Sequence, residues 1–150
     1  MINYIKGDLF TTPDNIIAHG VNCQGVMGSG VAKVIRNKYP QAYQDYLDFC
    51  ALRDPDYFLL GAVKSSHQPD GKIILNCFTQ LDYGKDGKRY VSYDAIDDCM
   101  VYINEYLDPR TGNISMPKIG AGLGGGNWEV IESIIKYRLD KHTVNVYYME

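Results

Sequence analysis

Basic residues are too few here for a protein that grips nucleic acid through a cationic face. Lys and Arg total 15 against 18 Asp and Glu, a formal net charge of −3 over 150 residues. Binding to a phosphate backbone scales with the number of phosphates neutralised, and no continuous positive face is available to neutralise them. The densest cationic stretch, Lys85, Lys88 and Arg89, reads as a solvated turn. Cysteine is also sparse: Cys23, Cys50, Cys77 and Cys99 stand far apart, no Cys-x-x-Cys pair occurs, and the three histidines lack metal-ligand spacing. That excludes a thiolate-rich metal or redox centre, so no metal and no cofactor is expected. No apolar run approaches the roughly 20 residues that cross a bilayer, and residues 1–15 lack a leader's apolar centre. A cytoplasmic protein with reduced thiols and no membrane partner is the expectation.

Glycine, by contrast, is concentrated where chemistry needs it. Two loops, Gly25-Val26-Met27-Gly28-Ser29-Gly30 and Gly120-Ala121-Gly122-Leu123-Gly124-Gly125-Gly126, each follow an apolar run and precede a stretch of helical spacing. Glycine lets backbone approach a ligand, and the start of a helix presents unpaired N–H groups to an anion. Two such loops in one small domain point to a diphosphate, or to one phosphate and a sugar. With so little positive charge, oriented backbone amides must hold the anion.

Residues 2–6 read as a short strand, and 15–22 as an apolar strand delivering Asn22 to the first glycine loop. Helical spacing runs from Val31 to about Tyr39 and, after Pro40 interrupts it, from Gln41 to Leu52 with Tyr43, Tyr46, Leu47 and Cys50 on one face. A strand begins at 61–63, and 72–79 reads as a buried central strand. Ser92 caps a helix over 93–107; strand 114–119 feeds the second loop; Val130, Ile131, Ile134, Ile135 and Leu139 mark the inner face of helix 128–139; and 144–149 closes the chain as a strand. Strands alternating with helices predict a single α/β domain over 1–150. It is a three-layer α/β/α sandwich around a mixed, mostly parallel sheet, with ligands beyond the carboxyl ends of the strands.

Three segments taken in order, Gly7-Asp8-Leu9, Asn22 to Ala32 and Met116 to Leu123, resemble the macro domain family of ADP-ribose binders, most closely its branch of ADP-ribose 1″-phosphate phosphatases and terminal ADP-ribose glycohydrolases. The resemblance implies the macro domain fold and a ligand, ADP-ribose or ADP-ribose 1″-phosphate, with ADP-ribosylated macromolecules as further partners. It implies that Asp8 accepts a hydrogen bond from the adenine amino group beside Leu9, and that Tyr147 and Met149 lie against adenine. Period-two spacing turns Tyr148 the other way. Asn22 then meets the distal ribose. Gly28, Ser29, Gly30 and Val31 surround that ribose and its phosphate, and Gly120, Ala121, Gly122, Leu123 and Gly124 wrap the diphosphate. Read from residue type alone, Asp8 is equally a turn cap, and Tyr147 and Met149 are equally core.

The resemblance divides over chemistry. Lysine-dependent glycohydrolases of the family place their nucleophile directly after the Phe/Ile-Thr ending the central strand, and the terminal type adds an aspartate after the leucine of the second loop. Here those positions are Gln80 and Gly124, and neither forms a Schiff base or moves a proton. The phosphatase relatives carry His-x-x-Asn leading into the first loop, and His19 and Asn22 reproduce it. The expectation is therefore dephosphorylation of ADP-ribose 1″-phosphate with His19 and Asn22 as catalytic residues, through attack by a positioned water. A non-catalytic ADP-ribose reader and a hydrolase removing ADP-ribose from modified targets remain as alternatives. Strand alternation places His19 and Asn22 on opposite faces unless the strand breaks at Gly20, so His19 is either catalytic or a buried structural histidine. Gln80, Tyr83, Tyr93 and Asp94 belong to a segment that either folds over the distal ribose or is plain surface.

Overall fold

Runs of apolar β-branched residues settle at the centre of a six-stranded sheet. The computed structural model describes residues 1–52 and 59–149. Its strands are β1 (Ile2–Lys6), β2 (Ile16–Asn22), β3 (Val63–His67), β4 (Ile73–Gln80), β5 (Ile114–Met116) and β6 (Val144–Tyr148). They lie in the order β1-β6-β5-β2-β4-β3, all neighbours parallel except β3, which runs antiparallel to β4. Ile16, Ile17 and Ala18 of β2 have no exposed surface, as expected of a parallel strand covered on both faces.

Alternation along the strands feeds two cores. One face of the sheet carries Ile16, Ala18 and Cys77 against α3 (Tyr93–Tyr106) and α4 (Trp128–Arg138), through Ile96, Met100, Ile131 and Ile135. The other face carries Ile17, Val21 and Phe78 against α1 (Gly30–Lys38) and α2 (Pro40–Leu52), through Ile35, Ala42 and Tyr46. The result is the three-layer α/β/α sandwich around a mixed, mostly parallel sheet.

Several element ends differ from the sequence reading for identifiable reasons. Strand β5 stops at Met116 rather than 119, because Pro117 has no N–H to continue a ladder. Pro40 opens α2 instead of merely separating two helices, a position where a missing N–H costs nothing. Val130 is exposed, 39 %, so the inner face of α4 rests on Ile131 and Ile135, with Ile134 packed beside them and Leu139 buried at its end. At the amino ends of the strands, Asp14 Oδ2 accepts hydrogen bonds from Ser115 Oγ and Asn145 Nδ2, each at 2.7 Å. A polar network occupies that end of the sheet; the carboxyl end is open.

Candidate functional site

Strands β2 and β5 are parallel neighbours, so both leave the sheet at the same edge, and both leave through glycine. The two loops face each other across a cleft of about 760 Å³, within the range of small-ligand sites. Each loop is held from behind by different means. In the first, Asn22 is the hub: its Oδ1 accepts from Gln24 N (2.9 Å), Val26 N (3.4 Å) and Tyr46 Oη (2.9 Å), and its Nδ2 donates to Val26 O (2.8 Å). Tyr46, fully buried on α2, also accepts from Val26 N and donates toward Asn22 O. In the second, Gly126 N closes on Gly120 O at 2.9 Å. Gly120 sits at φ +77°, and a Cβ there would meet Val91 Cγ2 at 2.8 Å, so glycine is required by both backbone and space.

Helix α1 begins at the cleft with its first turn open. Ser29 is its N-cap and makes no side-chain capping bond, whereas Ser92 and Asn127 cap α3 and α4 with theirs. The N–H groups at the start of α1, beside Gly28, Ser29, Gly30 and Val31 of the lining, are thus directed at the space an anion would fill. Gly120, Ala121, Gly122, Leu123 and Gly124 line the opposite wall.

At the other end, Tyr147 and Met149 line the cleft at the end of β6, Tyr147 nearly buried and Met149 mostly exposed. Tyr148 lines it too, in contrast to the strict alternation expected, because the strand ends there. Its ring lies under Lys118 Nζ at 5.5 Å. Asp8 and Leu9 are not among the lining residues. Asp8 is exposed and accepts from Phe10 N at 2.9 Å, capping a 3-10 turn over Leu9–Thr11. The hydrogen bond from Gly7 N to Tyr148 O, 2.9 Å, keeps it beside the end of β6. The Leu9 side chain is buried with Ile17, Val21 and Tyr147.

His19 borders the floor of the cleft and is 1 % exposed. The strand does not break at Gly20; the irregularity comes between Val21 and Asn22. That shift turns Asn22 toward Tyr46 and so onto the sheet face that also carries Ile17 and Val21, where strand parity places His19 as well. Asn76 donates through Nδ2 to Ala42 O, so its Oδ1 faces His19 Nε2 at 2.6 Å. Nε2 therefore carries the proton and Nδ1 keeps a lone pair, with no partner among the described residues. Burial pushes the imidazole pKa down from 6.5 to about 4, against a smaller upward pull from Asn76. Because the unfolded chain protonates this group before the folded one does, stability should be flat above pH 6.5 and fall as pH drops from 6.5 toward 4. The loss at pH 5 should be about 2 kcal/mol relative to pH 7. Thermal melts at the two pH values, on the wild type and His19→Gln, check this: the variant should lose that part of the slope.

Gln80 and Gly124, the positions where the resemblance places lysine and aspartate in other branches, are neighbours: a Cβ on Gly124 would lie 3.1 Å from Gln80 Oε1 and 2.8 Å from Gly120 O. No side chain fits at 124 without moving the loop. Gln80, Tyr83, Gly84 and Lys85 line the cleft on the β4 side. Tyr93 and Asp94 do not: Tyr93 Oη accepts from Asn127 N at 2.9 Å under the Arg89 guanidinium, and Asp94 sits exposed on the first turn of α3. Cys23 is buried with Val21 and Met27, outside the lining. Among the described residues, no group of three or more His, Cys, Asp or Glu is placed to hold a metal, and no helix is long and apolar enough to cross a membrane.

Tyr46, Asn76, Lys118 and Lys85 were not separable from their surroundings in the sequence. A tyrosine at helical spacing or a lysine in a loop carries no local signal, and only the packing gives each its place.

The Macro domain family model matches residues 18–135. The ADP-ribose 1″-phosphate phosphatase of Debaryomyces hansenii is 33 % identical, covering 100 % of both chains, and that of Candida albicans 34 % identical, covering 98 % of this chain and 99 % of its own. Among solved structures, the macrodomain of Mycobacterium tuberculosis DarG superposes with a TM-score of 0.82 at 25 % identity, covering 98 % of this chain and 97 % of that one. On its glycine loops, its sheet order and these likenesses, the chain belongs to the macro domain family.

Proposed function

We propose that the cleft binds ADP-ribose along its length and that the protein releases phosphate from ADP-ribose 1″-phosphate. One observation carries this reading: two glycine loops from adjacent parallel strands converge on a single cleft whose lining, among the described residues, includes no carboxylate. Such a site favours an extended anion held by backbone N–H groups. From β6 to β4 is three strand spacings, about 14 Å. An adenine against Tyr147 and Met149, with Asp8 beside it at the rim, then sets the distal ribose over Asn22 and Gln80. The full-length likeness to yeast proteins named for this phosphatase activity supports the choice of reaction.

In this reading water attacks the terminal phosphorus while the bond from phosphorus to the 1″ oxygen breaks. Inorganic phosphate leaves, and the sugar takes a proton to depart as the alcohol. Among the described residues the lining holds no cysteine and no carboxylate, so the chain's contribution is placement. Amides of the Gly28–Val31 segment bear the charge that develops on the phosphoryl oxygens, Asn22 fixes that segment, and His19, whose Nδ1 lies buried beneath the floor without a partner among the described residues, orients the water once the floor admits it. Phosphate release from ADP-ribose 1″-phosphate should be measurable with the purified chain and fall about 100-fold in His19→Ala. No release above buffer, with ADP-ribose still bound in calorimetry, would overturn the phosphatase reading.

One observation favours a second reading, a reader of ADP-ribose or ADP-ribosylated macromolecules. Imidazole held near pKa 4 is a weak base at neutral pH. Activity unchanged in His19→Ala would leave water orientation to the loops alone, and absent activity in the wild type would leave the reader.

A further inference from the structure

The geometry points to Lys85 as the residue that distinguishes ADP-ribose 1″-phosphate from its product, by setting an ammonium group beside the terminal phosphate at the β4 end of the cleft. The inference rests on the reading of the cleft just given and assigns within it a specificity that the loops cannot supply.

The segment from Leu81 to Tyr90 is a strap fastened to both glycine loops. At its start, Leu81 O accepts from Cys23 N (3.2 Å) and Gln24 Nε2 (2.9 Å) of the first loop. At its end, Gly124 O of the second loop accepts from Tyr90 N (2.7 Å) and Val91 N (3.0 Å). Within the strap, Gly84 packs on the Tyr90 ring so closely that a Cβ would lie 2.3 Å from the hydroxyl oxygen, and that hydroxyl donates to Asp86 Oδ1 at 2.9 Å. The strap is thereby folded back on itself with Tyr83, Gly84 and Lys85 facing the cleft.

Its three cations have different neighbours. Lys88 pairs with Asp86 at 3.8 Å, and Arg89 lies over the Tyr93 ring at 4.7 Å. Lys85 makes no ion pair and no hydrogen bond among the described residues, and it lines the cleft. In that lining the cationic side chains are Lys85 and Lys118, and Lys118 sits at the opposite end over Tyr148. Among the described lining residues, the β4 end therefore holds one cationic side chain and no carboxylate, Asp82 and Asp86 of the strap standing outside the lining.

Substrate and product share the adenine, both riboses and the diphosphate. They differ by the terminal phosphate, which carries about −1.5 to −2 charge at neutral pH. Backbone amides around the diphosphate and ribose grip both compounds alike, and uniform binding discriminates nothing. An ammonium at the distal end attracts the substrate and is indifferent to the neutral 1″-hydroxyl of the product. Lys85 thus raises capture of the phosphorylated form without slowing release of ADP-ribose.

Two quantities test this: the KM for ADP-ribose 1″-phosphate, and the inhibition constant of ADP-ribose as product. Lys85→Ala and Lys85→Gln should raise the KM about tenfold and leave the product constant within twofold. Lys85→Arg should retain most of the preference, and Lys88→Ala should match the wild type. The wild-type preference should shrink as salt rises, and the alanine variant should show less salt dependence. Equal shifts in both constants would mean that Lys85 only positions the strap and would overturn the inference, as would no shift in either. If the wild type releases no phosphate, the phosphatase reading fails while this inference is still tested, by calorimetric affinities for the two compounds. A preference for the 1″-phosphate that vanishes in Lys85→Ala then sustains it, and equal wild-type affinities sink it.

Discussion

Gly125→Ala is expected to abolish ADP-ribose binding and to cost about 3 kcal/mol or more of stability. Two terms add. Gly125 sits at φ +72°, where an L-side chain costs roughly 1–2 kcal/mol. Its new Cβ would lie 2.6 Å from Lys88 O and 3.0 Å from Arg89 Cα, both backbone atoms of the strap, so no side-chain rotation relieves the clash. The strap and the second loop must separate, and with them go the hydrogen bonds from Tyr90 N and Val91 N to Gly124 O. For a chain of 150 residues that loss corresponds to a fall of about 6–12 °C in Tm. Gly122→Ala is the matched control, since a Cβ there meets nothing within 4 Å and no positive φ is needed; its Tm should stay within about 1 °C of the wild type. Equal melting of Gly125→Ala and the wild type would show that the loop and strap are not locked together.

Asn22→Ala is the second large effect, and Tyr46→Phe separates its causes. Removing the Asn22 amide strands Val26 O and Gln24 N and leaves Val26 N to the Tyr46 hydroxyl alone. At roughly 1–3 kcal/mol for a group left buried and unpaired, and with water reaching some of them, about 2–3 kcal/mol of stability should be lost. Affinity for ADP-ribose should fall at least 100-fold, because the loop that carries Gly28 to Val31 no longer holds its shape and must order on binding. Tyr46 is fully buried, outside the lining, and cannot touch the ligand. Its hydroxyl nonetheless bonds Asn22 and Val26 N. Tyr46→Phe should keep the fold, costing about 1–2 kcal/mol, yet weaken ADP-ribose about tenfold in calorimetry. Undiminished affinity in Tyr46→Phe would mean that the first loop is shaped by ligand contacts rather than from behind.

These two cases show where reading residues in order succeeds and where it stops. Glycine positions, the apolar strand into Asn22 and the helical spacing of α3 were legible, because φ preference and hydrophobic period are local properties. The faces of His19 and Asn22 were not. Counting by twos sets them apart, and a register shift between Val21 and Asn22, imposed by pairing with β4, turns Asn22 to Tyr46. Likewise Tyr148 reads as pointing away from the cleft, yet it lines it where β6 gives out.

The sequence by itself determined the element order, the two anion-ready turns and the absence of lysine and aspartate at 80 and 124, since each depends on residue type and near-neighbour geometry alone. Tertiary structure decided that β2 and β5 lie side by side, that the strap ties the two loops together, and that His19 is buried and neutral. Those facts arise from contacts between residues tens of positions apart, whose free energy no local stretch of chain contains.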